Sequence, residues 1–270
     1  MRNEEHVEIH VVDAFTSKPF GGNPAAVVLL GRDDRDVPEA WMQQLAAEMR
    51  HSETAYVRER ADGSYDLRWF TPATEVDLCG HATLASAYAL NRPGTTTFHT
   101  RSGALHATAT DEGIELDFPA VHAEPGPPPA GLLAGLGLTT AVATAQSDFY
   151  AVVEVADAKT VRTLSPDFLA LADVDTRATL VMAPGDEGYD VVSRVFGPRV
   201  GIPEDPVTGS AHCVIATWWC ERLGKPTLRA YQASARGGEV DVTLNGDRVL
   251  LRGKCATVIR GELHANPGFE

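Results

Sequence analysis

Hydrophobic positions along the chain change period several times, and each change predicts an element. In HVEIHVVDAF, residues 6–15, alternation gives way to an apolar run, the pattern of a strand. FGGNPAAVVLL, residues 20–30, places a Gly-Gly-Asn-Pro turn before a buried apolar run. VPEAWMQQLAAEMR sets Trp41, Leu45 and Met49 at helical spacing behind an early Pro38, which predicts an amphipathic helix. TAYVRER and YDLRWF read as strands around a turn at Asp62-Gly63, and ALHATATDEGIELDFP as a hairpin turning at Asp111-Glu112-Gly113. TAQSDFYAVVEV, ATLVMAP and YDVVSRVF are expected to be strands, and EVDVTLNGDRVLLRGKCATVIRGEL a meander with an Asn-Gly turn. Between the halves, HAEPGPPPAG holds three consecutive prolines that cannot enter a helix or a central strand, so it reads as a linker. The expected domains are residues 1–121, completed by a C-terminal strand near 256–266, and residues 131–255, joined by a Pro-rich linker at 122–130.

The two halves echo one another. Arg68-Trp-Phe-Thr-Pro72 is followed by Cys79-Gly-His-Ala and an uncharged run to Leu90. Arg194-Val-Phe-Gly-Pro198 is followed by Asp205-Pro-Val-Thr-Gly-Ser-Ala and a nearly uncharged run to Cys220. The shared order of elements points to two copies of one fold. Each uncharged run is too short to span a bilayer, and a helix apolar on all sides must be buried. Flanking strands make the natural packing a sheet wrapped around one central helix, twice. The expected class is α+β: two pseudo-symmetric domains, each a strongly curved, mostly antiparallel, barrel-like sheet around a central apolar helix. Small residues such as Ala82, Ala85, Ser86, Ala87 and Ala89 let backbones approach closely in such a core.

Composition narrows the function. The chain has 270 residues, 44% of them hydrophobic, and a formal net charge of −14, which argues against a general nucleic-acid binder. Cys79, Cys213, Cys220 and Cys255 show no zinc-ligand spacing and read as thiols of a reducing compartment. The N-terminus has no signal-peptide apolar region, and no run reaches the roughly 18 apolar residues of a membrane helix. A cytoplasmic protein with no membrane partner is the expectation.

Cys79-Gly80-His81 and Thr208-Gly209-Ser210 fall at the starts of the buried helices. Free N–H groups and the positive end of the helix dipole there bind carboxylates or phosphates, and glycine admits a ligand to the backbone. Two such ends facing each other would make an anion-binding cleft; alternatively, both glycines only relieve turn strain. Cys79 at a helix N-terminus is either a thiol with a depressed pKa, suited to proton transfer, or a small buried hydrophobe. Its counterpart in the second copy falls near Pro206, so a matched cysteine pair is absent. Asp205, held extended by the following proline, could orient a histidine, bind an amine, or be a plain turn aspartate. Glu53 sits between a helix end and a strand, where a carboxylate ordinarily faces solvent. His51, His99 and His212 lack a partner pattern and read as structural.

The sequence resembles the PhzF-like proteins, relatives of phenazine-biosynthesis isomerase. The matching stretches are VDAFTSKPFGGNPAAVV near the start, SETAYV at 52–57, DLCGHATLASA at 77–87 and FGPRVGIPEDPVTGSAHC at 196–213. The resemblance implies the diaminopimelate-epimerase fold, a homodimer, and no cofactor or metal. It implies that the catalytic glutamate of the S-E-T motif is Glu53, that the G-H histidine is His81, and that the D-P-x-T-G-S aspartate and serine are Asp205 and Ser210. That reverses the surface reading of Glu53. Substrate contacts are expected from Cys79, Gly80, Ala82, Gly209 and Ala211. Cys79 looks like the first catalytic cysteine of the epimerases, the second being replaced near Pro206. One base on one face suits a proton shift rather than inversion. The implied function is a cofactor-independent isomerase acting on a small, carboxylate-bearing, amino acid-like and sometimes cyclic metabolite of secondary metabolism. The alternatives are a two-base epimerase using Cys79 and Glu53, or a non-catalytic small-molecule binding protein.

Overall fold

The computed structural model describes residues 7–32, 36–265 and 267. The ends of the expected first domain, residues 1–6 and 266, lie outside the described residues. The fold is a sheet-dominated α+β arrangement with few helices. The chain divides into two compact units, Met1–Asp117 with Gly253–Glu270, and Phe118–Arg252.

In the first unit, strand Val7–Ala14 pairs antiparallel with both Cys255–Leu263 and Asn23–Leu29. The crossover helix Glu39–Met49 then makes Asn23–Leu29 parallel to Glu53–Glu59, which pairs antiparallel with Tyr65–Phe70. A two-residue strand, Glu75–Val76, returns along Tyr65–Phe70. After the helix Gly80–Leu90, strand Thr95–Thr100 pairs parallel to Tyr65–Phe70, and two antiparallel hairpins continue through Gly103–Thr110 and Gly113–Pro119. Strand Asn23–Leu29 explains its own apolar run. Ala26 and Val28 pack with Met42, Ala46 and Tyr56 against the crossover helix, while the alternate positions Ala25 and Val27, also fully buried, face the other side. On that other side sits Gly80–Leu90, which packs on Val7–Ala14, Asn23–Leu29 and Glu53–Glu59.

Gly80–Leu90 is not apolar all round. Thr83 and Ser86 are fully buried, and each hydroxyl donates to the carbonyl four residues earlier, Cys79 O at 2.6 Å and Ala82 O at 2.7 Å. Back-bonding of this kind lets a polar side chain enter a core without an orphaned hydroxyl. Leu84 reaches the sheet where Gly253 leaves room, since a Cβ on Gly253 would run into Leu84 and the Phe15 ring.

The second unit repeats the succession of pairings. Ala143–Gln146 and Tyr150–Glu154 are antiparallel, Tyr150–Glu154 and Ala178–Pro184 parallel, and Ala178–Pro184 and Val191–Gly197 antiparallel. A short return strand, Ile202–Asp205, precedes the helix Gly209–Leu223. Thr227–Gln232 then pairs parallel to Val191–Gly197, and Gly238–Asn245 and Arg248–Gly253 follow antiparallel. Val153, Val181 and Val192 pack with Val161 and Leu171 of the short helices Ala158–Thr163 and Phe168–Ala172. Met182, on the opposite face, accepts the Trp219 indole N–H at 3.2 Å, which places Gly209–Leu223 there.

The repeated R-x-F-x-P has a physical role in each unit. Arg68 forks onto Glu75 of the short return strand at 2.7 and 2.6 Å and lies 5.1 Å over Phe70. Arg194 forks onto Glu204 at 2.8 and 2.9 Å and lies 4.9 Å over Phe196. Each guanidinium therefore pins the strand that leads into the buried helix.

Four features differ from the pattern expected. TAQSDFYAVVEV is a hairpin of two strands, because Ser147-Asp148-Phe149 turns and Ser147 Oγ accepts the Tyr150 N–H at 3.1 Å. The final meander breaks at Lys254, and its last strand, Cys255–Leu263, pairs with Val7–Ala14 of the first unit. The short helices Ala158–Thr163 and Phe168–Ala172, N-capped by Asp157 and Asp167, had no counterpart in the periodicity. The Pro-rich stretch 122–130 lies within the second unit, where Glu124–Pro125 pairs with Ala145–Gln146.

Candidate active site

In the first unit, chemistry gathers where Gly80–Leu90 begins. Cys79 is its N-cap, in extended backbone (φ −147°, ψ 108°), and its side chain makes no cap hydrogen bond. The sulfur is thereby left for His81, whose Nδ1 lies 3.4 Å from Cys79 Sγ. The other face of the ring meets Glu53, with Nε2 3.4 Å from Oε2. Glu53 is delivered by the parallel pairing of its strand, in register with Ala25. Its side chain is 14% exposed, so a carboxylate at a strand entry does not face open solvent here.

Burial pushes the His81 pKa down to about 3, with the nearby His51 adding to the effect. The ring is therefore neutral near pH 7, and its contact with Glu53 is not an ion pair. A neutral imidazole carries one proton. If Nδ1 accepts the Cys79 S–H, Nε2–H faces Glu53; if Nδ1–H faces the sulfur, a bare Nε2 faces the carboxyl. Thiol, ring and carboxylate thus stand side by side, and the ring between them has two tautomeric settings. The same three residues each offer one metal-ligating atom, all within 4.8 Å of one another.

In the second unit, Thr208 is the extended N-cap of Gly209–Leu223. Its hydroxyl donates to Asp205 Oδ2 at 2.5 Å. Gln232, fully buried, holds this turn: its Nε2 donates to Asp205 O at 2.7 Å, and its Oε1 accepts the Thr208 N–H at 2.9 Å. Ser210 is exposed at the second helical position, and its Oγ lies 2.6 Å from the Tyr150 hydroxyl. Tyr150 is pushed up to about 12, chiefly by burial, and stays protonated. Either hydroxyl can donate in this pair. His212 Nδ1–H donates to Thr208 O at 2.7 Å, and burial pushes its pKa down to about 4. Cys213 is pushed up to about 12 by burial, a structural thiol.

The structure brings Glu53, Cys79 and His81 together in the first unit, and Asp205, Thr208, Ser210 and Tyr150 in the second. Ala82 and Ala211 are fully buried, so either can meet a ligand only through its first-turn N–H, as can Gly80 and Gly209. One register changes. Counted from the helix caps, Cys79 corresponds to Thr208 and His81 to Ser210, and Pro206 corresponds to Asp77. The second helix thus carries a hydroxyl where the first carries a thiol. Tyr150 and Gln232 were missed by sequence reasoning, since neither lies near a motif and 60 residues separate Tyr150 from Ser210.

Sheet-dominated folds of this kind occur among other solved structures. A probable proline racemase from Agrobacterium radiobacter superimposes with a TM-score of 0.60 at 12% identity, covering 97% of this chain and 94% of its own, a likeness of fold alone. A far closer match is a PhzF-family protein from Enterococcus faecalis, with a TM-score of 0.90 and 40% identity over 96% of this chain and 99% of its own. An uncharacterized isomerase of Halalkalibacterium halodurans is 46% identical over 263 residues, 94% of this chain and 97% of that protein. The family model described as phenazine biosynthesis-like protein matches residues 12–261. The chain belongs to the PhzF, or phenazine biosynthesis-like, family.

Proposed function

We propose that the protein is a cofactor-independent isomerase that shifts a proton on a small, carboxylate-bearing, amino acid-like metabolite. The observation that carries this reading is the Glu53–His81–Cys79 relay, in which a mostly buried carboxylate meets a neutral imidazole. Glu53 takes the proton from an acidified C–H and returns it to another carbon on the same face. His81, uncharged, holds the carboxylate in place and passes protons to and from Cys79. First-turn N–H groups of Gly80 and Ala82 bind the substrate carboxylate. For the second unit the family resemblance implies that Asp205 binds an amine or hydroxyl and that Ser210, beside the Tyr150 hydroxyl, hydrogen-bonds a carboxylate. Acid–base assistance of this kind contributes about 10²–10⁴-fold.

The matching succession of pairings and the matching Arg–Glu clamps support a further reading, that the two units are duplicated copies of one curved sheet around a central helix. Assembly as a homodimer and a place in secondary metabolism complete the proposal and rest on the family resemblance.

A two-base epimerase is the second reading, favoured by the 3.4 Å contact of Cys79 Sγ with His81, which gives the thiol a base of its own. Both readings are tested by deuterium uptake from heavy water into a panel of small cyclic and dihydro amino acids. Wild-type uptake that falls about 10²–10⁴-fold in Glu53→Gln supports Glu53 as the base. Undiminished uptake in Glu53→Gln removes that assignment, and no uptake by wild type across the panel favours a binding protein.

A further inference from the structure

His81 is 6% exposed, and its Nε2 has no aligned hydrogen-bond partner although a carboxylate oxygen lies 3.4 Å away. A thiol stands at 3.4 Å from the other ring nitrogen. We propose that Glu53, Cys79 and His81 form a binding site for a thiophilic divalent cation, Zn²⁺ foremost, and that the bound ion blocks the proton relay.

Spacing supports the site. A tetrahedral zinc centre with Cys, His and carboxylate ligands sets its donor atoms on the order of 3.5 Å apart, from metal–ligand bonds of about 2.0–2.3 Å. One donor atom from each of these residues already lies within 4.8 Å of the others, and two of the contacts are 3.4 Å. Only one ring nitrogen can ligate, so one of the 3.4 Å contacts is given up and the Glu53 side-chain torsions close the remainder. The donor set decides the metal. Thiolate and imidazole select Zn²⁺ or Co²⁺, whereas Mg²⁺ and Ca²⁺ call for oxygen ligands throughout.

On binding, the Cys79 S–H bond breaks, its proton leaves to buffer, and a sulfur–metal bond forms; no electron changes hands. Thiolate and carboxylate together balance the charge of the ion. The helix N-terminus opposes a cation, so the ion is held reversibly and a chelator removes it. Three protein ligands leave a fourth position for water. Among the described residues no second such cluster occurs; at the start of the second buried helix Asp205 stands with the hydroxyls of Thr208, Ser210 and Tyr150.

The test is Co²⁺ titration of the chelator-stripped full chain. Expected are visible d–d bands with a near-ultraviolet thiolate-to-cobalt charge-transfer band, saturating at one ion per chain and erased by Zn²⁺. Cys79→Ser is expected to lose the charge-transfer band, and His81→Gln and Glu53→Gln to weaken binding about tenfold or more. Cys213→Ser, which alters a structural thiol, is expected to bind as wild type does. Far-ultraviolet circular dichroism confirms the fold of each variant; should Cys79→Ser fail to fold, the other two carry the test. Absence of the band in wild type, or equal affinity across folded variants, overturns the proposal. Binding is read without turnover, so this result and the isomerase reading stand or fall separately.

Discussion

The helices Gly80–Leu90 and Gly209–Leu223 both start on glycine after an extended N-cap whose side chain leaves the cap unfilled. In each, the residue four positions after the cap bonds the cap carbonyl, Thr83 to Cys79 O at 2.6 Å and His212 to Thr208 O at 2.7 Å. The difference lies at the second helical position and in what meets it from the neighbouring strand. His81 meets Glu53 in the first unit, and Ser210 meets Tyr150 in the second. One scaffold therefore presents a titratable chain at one helix start and a hydroxyl pair at the other. Burial keeps His81, His212 and Tyr150 uncharged near pH 7.

If both helices are true core elements, shortening either is costly. Leu84→Ala is expected to destabilise by about 2–5 kcal/mol, and Ile215→Ala by a similar amount, both read by urea unfolding. A loss well under ~1 kcal/mol at one site would mean that its helix is not core in the same sense. Gln232→Leu sharpens the difference by probing the second helix start alone. It strands the Thr208 N–H and is expected to destabilise by about 1–3 kcal/mol.

His212 supplies a pH test. Its folded pKa of about 4 lies below the ordinary 6.5, so on acidification the unfolded chain takes up that proton first. The associated stability is complete above about pH 6.5 and drains between there and about pH 4, with a slope near 1.4 kcal/mol per pH unit. His212→Asn is expected to remove one proton's worth of that slope in melts at stepped pH; an unchanged slope would place the ring elsewhere. The smallest effect is expected for Tyr150→Phe. Losing one hydrogen bond is worth about 0.5–1.5 kcal/mol, hence roughly a twofold to tenfold rise in KM with kcat kept. A fall in kcat instead would draw Tyr150 into the chemistry.

The crossover helix and the alternating strands were legible because their signal is local: Trp41, Leu45 and Met49 repeat every four residues. The echo of Arg68 and Arg194 was legible as a motif, but its reason was not, since Glu75 and Glu204 become partners only when each return strand folds back. The local pattern of Cys255–Leu263 continues the meander before it, whereas the expectation that a strand near 256–266 completes the first domain matches its pairing with Val7–Ala14. Glu53 looked like a surface carboxylate on its own segment. What shelters it is a helix that begins 27 residues later, and only the family resemblance anticipated its role. Tyr150 had no signal at all, being an aromatic at a strand start like many others.

The most direct test of the central claim is positional deuterium labelling of one accepted substrate by wild type, Glu53→Gln and Cys79→Ser. A single-carboxylate isomerase predicts label at the carbon that gains the proton, uptake lowered about 10²–10⁴-fold in Glu53→Gln, and Cys79→Ser within about tenfold of wild type. Label at an inverted stereocentre, with uptake abolished equally by both substitutions, would contradict it and establish the two-base epimerase.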